Sequence, residues 1–125
     1  MNSQALLILG SQANQEYVEA LAKIGFVPEV WGSVRHSLDK VRRRRLSGVV
    51  VDRKFTHADV LQFILNVRDI NRTIPVVVIG SGKNKRIEGK INKQDRTVVL
   101  SESDRGQELA KELAHAIGGD ESENV

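Results

Sequence analysis

Asp52 is a candidate functional residue, because its carboxylate directly follows the valine-rich run Gly48–Val51. Short runs that are apolar on both faces are typical of the buried strands of a parallel sheet. A side chain at the carboxyl end of such a strand lies at the edge where open α/β sheets bind ligands. Asp52 therefore has two interpretations: a functional carboxylate, or a structural one that caps a neighbouring turn or pairs with a cation.

Basic residues near Asp52 favour the ion-paired interpretation. Arg53 and Lys54 follow it directly, and Lys83 and Lys85 come from the loop after the next strand, at the same edge of the sheet. A cation beside a carboxylate stabilises its charged form and could substitute electrostatically for a metal ion. We favour this interpretation, and these four basic residues are the candidate partners.

The composition is that of an ordinary globular domain, and it excludes several kinds of site. The chain has 125 residues, of which 40% are hydrophobic and 28% charged, so it is long enough for one domain with a proper core. The absence of cysteine excludes a disulfide framework, a thiol nucleophile and a zinc site built on thiolates. His36, His57 and His115 are far apart in sequence, and we expect each of them at the surface.

Two patterns alternate along the chain and predict the elements that position Asp52. Alternating strands and helices imply βαβ units, hence an open α/β sheet of five strands with up to five helices on its two faces. Short apolar runs predict strands at Ala5–Leu9, Phe26–Trp31, Gly48–Val51, Pro75–Ile79 and Thr97–Leu100. Apolar stripes with helical spacing lie between or after them, at Tyr17, Val18, Leu21 and Ile24, at Val34, Leu38 and Val41, at Val60, Phe63, Ile64 and Val67, and at Leu109, Leu113 and Ile117.

Capping residues indicate where three of these helices begin or end. Gly25 is placed to stop the first helix, because glycine readily adopts the left-handed conformation that ends helices. Ser33 is the expected N-cap of the second helix, and Thr56 or His57 is expected to start the third.

The fourth helix is the weakest element. Between residues 80 and 96 only Ile87 and Ile91 offer an apolar stripe, and Gly89 between them costs about 1 kcal/mol relative to alanine. We expect this helix to be short or irregular. Residues 1–119 then form a single domain, and the acidic segment 120–125 a disordered tail.

Three segments together carry a resemblance to a known family. Asp52 closes the third strand, Asp59–Ile64 is similar to an Asp-Gly-Leu-Glu-Leu-Leu helix opening, and Thr73–Ile79 is similar to an Ile-Pro-Val-Ile-Val-Leu fourth strand. In this order and spacing the chain resembles the CheY-like receiver domain of two-component response regulators over nearly its whole length. The resemblance implies a flavodoxin-like (βα)5 three-layer sandwich with a five-stranded parallel sheet. It also makes Asp52 the equivalent of the aspartate that accepts a phosphoryl group.

Departures from the family pattern surround Asp52. The family's two metal-binding acids align with the stretch Leu9-Gly10-Ser11-Gln12. The family's Thr or Ser after the fourth strand aligns with Gly80, which Ser81 follows. The family's Lys-Pro pair aligns with Leu100-Ser101. Phosphoryl transfer depends on positioning and on neutralising charge around the transferring group, and Mg²⁺ needs hard oxygen ligands. We therefore predict a degenerate pseudo-receiver without conventional Mg²⁺-dependent phosphorylation, without a cofactor and without enzymatic activity. The degenerate pocket consists of Gly10, Ser11, Gln12, Gly80, Ser81 and Leu100.

The function that this interpretation implies is a stand-alone signalling module that acts by protein–protein interaction. Receivers commonly use the face of the fourth helix, fifth strand and fifth helix, which the resemblance places at Lys90, Arg96 and residues near Gln107 and Lys111. A protein partner or a second copy would bind there. One alternative is a genuine response regulator that is phosphorylated on Asp52 at an atypical site and requires Mg²⁺ as a cofactor. A second alternative is a binder of small anionic ligands at the strand ends, near Gly10, Ser11, Gly80 and Ser81.

Nucleic-acid and membrane partners are not expected. The run Arg42–Arg45 ends the second helical stripe, where cations complement the helix dipole, and a solvated helix end explains it. Aromatic residues make up only 4%, so the chain offers no platform for stacking on bases. Trp31 is expected to be half-buried at the end of the second strand. No apolar stretch is long enough to cross a bilayer, and a cytoplasmic location is expected.

Overall fold

The structure is a computed structural model that describes residues 4–10, 15–102 and 106–123, with no side chains described from residue 119 onward. Five strands alternate with five helices. The strands are β1 (Gln4–Leu9), β2 (Phe26–Trp31), β3 (Gly48–Asp52), β4 (Val76–Ile79) and β5 (Thr97–Leu100). The helices are α1 (Gln15–Lys23), α2 (Val34–Arg43), α3 (Val60–Ile70), α4 (Lys85–Asn92) and α5 (Gly106–Glu123), and a single 3-10 turn, Arg53–Phe55, follows β3.

The strands form one parallel sheet in the order β2-β1-β3-β4-β5. The predicted strands are confirmed to within one residue at each end. The register pairs Asp52 with Ile79 and Ile79 with Leu100. The carboxyl ends of β3, β4 and β5 therefore lie side by side at one edge of the sheet.

The core has two layers, one on each face of the sheet, which confirms the three-layer prediction. Side chains alternate between the faces because successive residues of a strand point in opposite directions. Leu7 and Leu9 of β1 pack with α2, α3 and α4, whereas Leu6 and Ile8 pack with α1 and α5. The predicted stripes supply the helical side of both layers, except at Ile24. This residue lies beyond the end of α1 and is 51% exposed.

Two of the three predicted helix boundaries are confirmed. The Ser33 hydroxyl accepts a hydrogen bond from the backbone N–H of His36 at 3.2 Å, and Gly25 has a φ of 109° just after α1. The predicted start of α3 at Thr56 or His57 is wrong. The Thr56 hydroxyl accepts from the N–H of Ala58 in a local turn, and Asp59 is the N-cap, accepting from the N–H of Gln62 at 3.1 Å.

The fourth helix is short, as predicted, with eight residues. Ile91 is fully buried against the α2–α3–α4 side of the sheet, but Ile87 is 39% exposed, so a single apolar side chain anchors the helix. The cap compensates in part, because the Asn84 side chain accepts from the N–H groups of Arg86 and Ile87.

The last helix departs from helical geometry at Gly118 (φ −117°, ψ 19°). Its residue Ile117 packs directly over Gly48, where an added Cβ would lie 3.0 Å from the Ile117 Cγ1. The domain boundary at residue 119 and the disorder of residues 120–125 stay predictions. In the part of the chain that the structure describes, no helix is long and apolar enough to span a membrane.

Candidate functional site

The carboxylate of Asp52 lies at the carboxyl edge of the sheet and is almost completely buried, with 3% of its surface exposed. The Tyr17 hydroxyl donates a hydrogen bond of 2.6 Å to Oδ2, and the backbone N–H of Lys54 donates one of 3.3 Å to Oδ1. Both carboxylate oxygens therefore have a donor from the protein itself.

Tyr17 comes from the first turn of α1 and is itself only 1% exposed. Burial raises the pKa of its phenol well above the usual value, and the hydrogen bond to Asp52 and the charge of that carboxylate raise it further. The phenol therefore stays protonated and remains a donor. The sequence placed Tyr17 in an apolar stripe and did not identify it as a site residue. The signal that could have found it is chemical, because a buried tyrosine hydroxyl usually requires a polar partner.

The predicted ion pair between Asp52 and Arg53 is wrong. The Arg53 guanidinium instead donates two hydrogen bonds of 2.9 Å to the two carboxylate oxygens of Glu88 on α4. Lys54 contacts Asp52 only through its backbone, and its ammonium lies 5.8 Å from the centre of the Phe55 ring.

The other two candidate cations, Lys83 and Lys85, are exposed. Ion pairs between described residues join Asp39 to Arg43, Glu29 to Arg44, and Glu88 to Arg53. None of them uses Asp52, so in this part of the chain its partners are a phenol and a backbone amide.

The Arg53–Glu88 pair ties the turn after β3 to α4. Both side chains are mostly buried. Burial acts to raise the pKa of Glu88, but hydrogen bonds from Arg53 and from the backbone of Gly82, with the charge of Arg53, bring it below the usual value. An added Cβ at Gly82 would collide with the Arg53 guanidinium and the Glu88 carboxylate, so a larger residue there would shift this pair.

Close packing and backbone conformation explain the two glycines of the predicted degenerate pocket. An added Cβ at Gly10, just after β1, would lie 3.2 Å from the Asp52 Cβ, a tight contact that would require a small shift of the aspartate. Gly80 has a φ of 98°, a conformation that favours glycine, and an added Cβ there would lie 3.1 Å from a Glu102 carboxylate oxygen.

The structure describes two of the four remaining pocket residues. Ser81 is exposed, Leu100 is half-buried, and Ser11 and Gln12 lie outside the described residues. A hollow of about 220 Å³ borders Gly80, Ser81 and Leu100. Within the described ranges no three His, Cys, Asp or Glu side chains form a group that could hold a metal ion.

The predicted interaction face contains an apolar groove of about 380 Å³ between β5 and α5, lined in part by Val98, Lys111 and His115. Val98 is 39% exposed. Gln107 borders a second hollow, between α1 and α5, which Lys111 also borders.

Other candidate features fit the simpler interpretations. The three histidines are exposed, and Trp31 is half-buried with the Lys40 ammonium 5.0 Å from its ring centre. The run Arg42–Arg45 is exposed at the end of α2, where Arg43 pairs with Asp39 and Arg44 with Glu29.

No protein-family model matches the chain, and no curated protein matches it. Solved structures of receiver domains are similar to it. A CheY-like receiver domain protein of Methanospirillum hungatei has a TM-score of 0.81 at 10% identity, covering 98% of this chain and 99% of that one. Chemotaxis response regulator CheY4 of Vibrio cholerae has a TM-score of 0.76 at 16% identity, covering 92% and 99%.

A third similar structure is the receiver domain of a Pseudomonas aeruginosa sensor histidine kinase with a magnesium ion in its active-site cleft. It has a TM-score of 0.72 at 17% identity, covering 94% of this chain and 99% of that one. At identities this low the likeness concerns the architecture. The chain has the five-stranded α/β fold of CheY-like response-regulator receiver domains.

Proposed function

We propose that this chain is a stand-alone receiver-like module of two-component signalling that acts by protein–protein interaction, without conventional phosphorylation of Asp52. The observation that carries the proposal is the hydrogen bond from the buried Tyr17 hydroxyl to the Asp52 carboxylate. The similar structures, which include a chemotaxis response regulator and a kinase receiver domain, support the signalling role.

Acceptance of a phosphoryl group requires an accessible carboxylate oxygen. Here Asp52 is 3% exposed, and the Tyr17 hydroxyl donates a hydrogen bond to its Oδ2 atom. A hydrogen bond to a charged group contributes about 1.5–3 kcal/mol, and a phosphoryl donor that approaches Oδ2 would have to break it. The resting structure therefore opposes the reaction at its first step.

The residues around Asp52 do not suit Mg²⁺. The ion prefers near-octahedral coordination by hard oxygens, including carboxylates. The stretch that aligns with the family's metal-binding acids is Leu9-Gly10-Ser11-Gln12, which has no carboxylate. We propose that the module uses no magnesium and catalyses no reaction.

The proposed output surface is the face formed by α4, β5 and α5. The groove between β5 and α5 exposes the apolar side chain of Val98 and is bordered by Lys111, while Lys90 and Arg96 are exposed on α4 and just before β5. An apolar centre with a charged rim is typical of protein interfaces. A protein partner or a second copy would bind here, in the cytoplasm, and the signal would be transmitted by binding.

Two experiments test the proposal. The protein is incubated with acetyl phosphate and Mg²⁺, and its intact mass is measured. We expect no phosphoryl adduct in the wild type, in Tyr17→Phe or in the control Asp52→Asn. An adduct in the wild type that is absent from Asp52→Asn would support the alternative, a response regulator with an atypical site.

The second experiment places a photo-crosslinking residue at Val98 in cells, with the exposed Thr73 in the loop before β4 as the control position. We expect a discrete crosslinked species from position 98 and none from position 73. Equal crosslinking from both positions would contradict the proposed surface. The ligand-binding alternative gains no support from the hollow beside Gly80, because the Glu102 carboxylate lies against it and would repel an anion.

A further inference from the structure

A cleft of about 430 Å³ lies between the starts of α3 and α4, at the same edge of the sheet as Asp52. Apolar side chains of both helices border it, Leu61 from α3 and Ile87 and Ile91 from α4. Ile91 is fully buried, but Ile87 is 39% exposed and presents apolar surface to solvent. The volume of this α3–α4 cleft is within the range of about 300–1,000 Å³ that is usual for binding pockets.

An ion pair holds two sides of the α3–α4 cleft together. Arg53 and Glu88, which both border the cleft, share two hydrogen bonds of 2.9 Å and are mostly buried. The pair joins the turn after β3 to α4. A cleft that is already formed costs less free energy to occupy, because fewer groups have to be ordered on binding.

The α4 side of the cleft is basic. Residues 81–93 have five Lys and Arg and a single acid, Glu88. Glu88 is paired with Arg53, whereas none of the ion pairs between described residues uses the exposed Lys83 or Lys85. Lys83 borders the cleft and Lys85 begins α4. The described side chains therefore leave positive charge beside the cleft without a partner.

The α3 side of the cleft carries the remaining charged groups. Asp59 and His57 border the cleft there. The Asp59 carboxylate accepts the N–H of Gln62 as the cap of α3. A bound anion is therefore attracted to the α4 side, away from Asp59.

These features specify the chemistry of the partner. A nucleic-acid backbone has phosphates but no apolar side chain to fill the cleft, whereas a protein segment can offer both acidic and apolar groups. Protein interfaces typically place an apolar anchor in a pocket within a charged rim, and complementary charge favours association.

We propose that the α3–α4 cleft binds an acidic segment of a protein partner, whose apolar anchor side chain fills the cleft while its carboxylates contact Lys83 and Lys85. The cleft lies on the α3 side of α4. This inference therefore goes beyond the proposed function, which uses the α4–β5–α5 face and leaves the chemistry of the partner open.

An array of short synthetic peptides, probed with the fluorescently labelled full chain, tests the proposal. The peptides are rich in Asp and Glu around one central position, which is varied through all amino acids. We expect peptides with a central leucine or phenylalanine to bind about tenfold or more tightly than those with serine. Absence of binding to every acidic peptide, or binding that ignores the central residue, would overturn the proposal. A short DNA duplex that binds more tightly than every peptide would assign the basic surface to nucleic acid and overturn it too.

Charge reversal tests the basic side of the cleft, with the leucine peptide at about 150 mM NaCl, where the Debye length is about 8 Å. We expect Lys83→Glu/Lys85→Glu to weaken binding about tenfold or more, because the peptide then meets like charges. The control Arg42→Glu/Arg45→Glu changes the net charge equally at the exposed far end of α2 and should leave binding nearly unchanged. An equal loss in both variants would mean that net charge, not the cleft, attracts the peptide.

A matched apolar pair separates this inference from the proposed function. Ile87 and Val98 are each 39% exposed, on the α3–α4 cleft and in the β5–α5 groove respectively. We expect Ile87→Ser to weaken binding of the leucine peptide about tenfold and Val98→Ser to leave it unchanged. The opposite result would assign the peptide to the α4–β5–α5 face and overturn the inference, while leaving the proposed function standing. Self-association of the purified chain that Ile87→Ser abolishes would assign the cleft to a second copy and would also overturn it.

Discussion

Replacing Tyr17 with phenylalanine removes one hydroxyl group and keeps the ring that packs between α1 and the sheet. The Asp52 Oδ2 atom then loses its donor in a site where water has almost no access. A lost hydrogen bond to a charged group and a buried unsatisfied acceptor together cost about 2 kcal/mol. We therefore expect Tyr17→Phe to lower the free energy of unfolding by about 2 kcal/mol.

Urea denaturation followed by circular dichroism measures this change directly, and the midpoint should fall without a change in slope. A double-mutant cycle with Asp52→Asn isolates the part of the contact that depends on charge, because the asparagine oxygen still accepts from the phenol but carries no charge. We expect the two changes to be non-additive by about 1 kcal/mol or more, as for residues in direct contact.

The reasoning fails if Tyr17→Phe changes the free energy of unfolding by less than about 0.5 kcal/mol, the scatter of surface substitutions. Strict additivity in the double-mutant cycle would also refute it. Either result would mean that the phenol and the carboxylate do not depend on each other.

Three further predictions concern single side chains. Because the chain has one tyrosine and burial with the Asp52 contact raises its pKa, ultraviolet titration should show no phenolate near pH 10 in the folded protein. The stabilisation linked to this shift is complete below the unfolded pKa of about 10 and declines as the pH rises above it, so urea midpoints should fall in alkali less steeply for Tyr17→Phe. Glu88→Gln should lower the free energy of unfolding by about 1 kcal/mol at neutral pH. Because the folded pKa of Glu88 is lowered, this difference from wild type should shrink as the pH falls through that pKa. A difference that stays the same in acid would contradict the Arg53 pairing. Asp59→Ala should cost about 1 kcal/mol through loss of the α3 N-cap, while the control Asp69→Ala, near the other end of the same helix, should be close to neutral in thermal denaturation.

The architecture could be predicted from the sequence because it depends on periodicity. The run Gly48–Val51 is apolar at every position and is buried on both faces, and the stripes of α2 and α3 at helical spacing face the sheet. The position of Asp52 at the strand end follows from the same pattern. The weakness of α4 was also predictable, since it has one buried anchor.

The partners of Asp52 could not be predicted, because they depend on tertiary contacts. Tyr17 is 35 residues away, and its contact is set by how α1 docks on the sheet. Arg53 is adjacent in sequence, yet it begins the 3-10 turn after β3, and its guanidinium reaches Glu88 instead. Asp59 was overlooked as the cap of α3 because Thr56 and His57 come earlier and Thr56 is an equally good capping type.

The central claim is that a carboxylate enclosed by a phenol, without neighbouring acids, does not bind Mg²⁺. Titration of ¹⁵N-labelled protein with MgCl₂, followed through the amide signals of Asp52, Arg53 and Gly80, tests it most directly. We expect only small shifts that do not saturate and that are the same in Asp52→Asn. Saturable shifts at these amides in the wild type, abolished by Asp52→Asn, would contradict the claim.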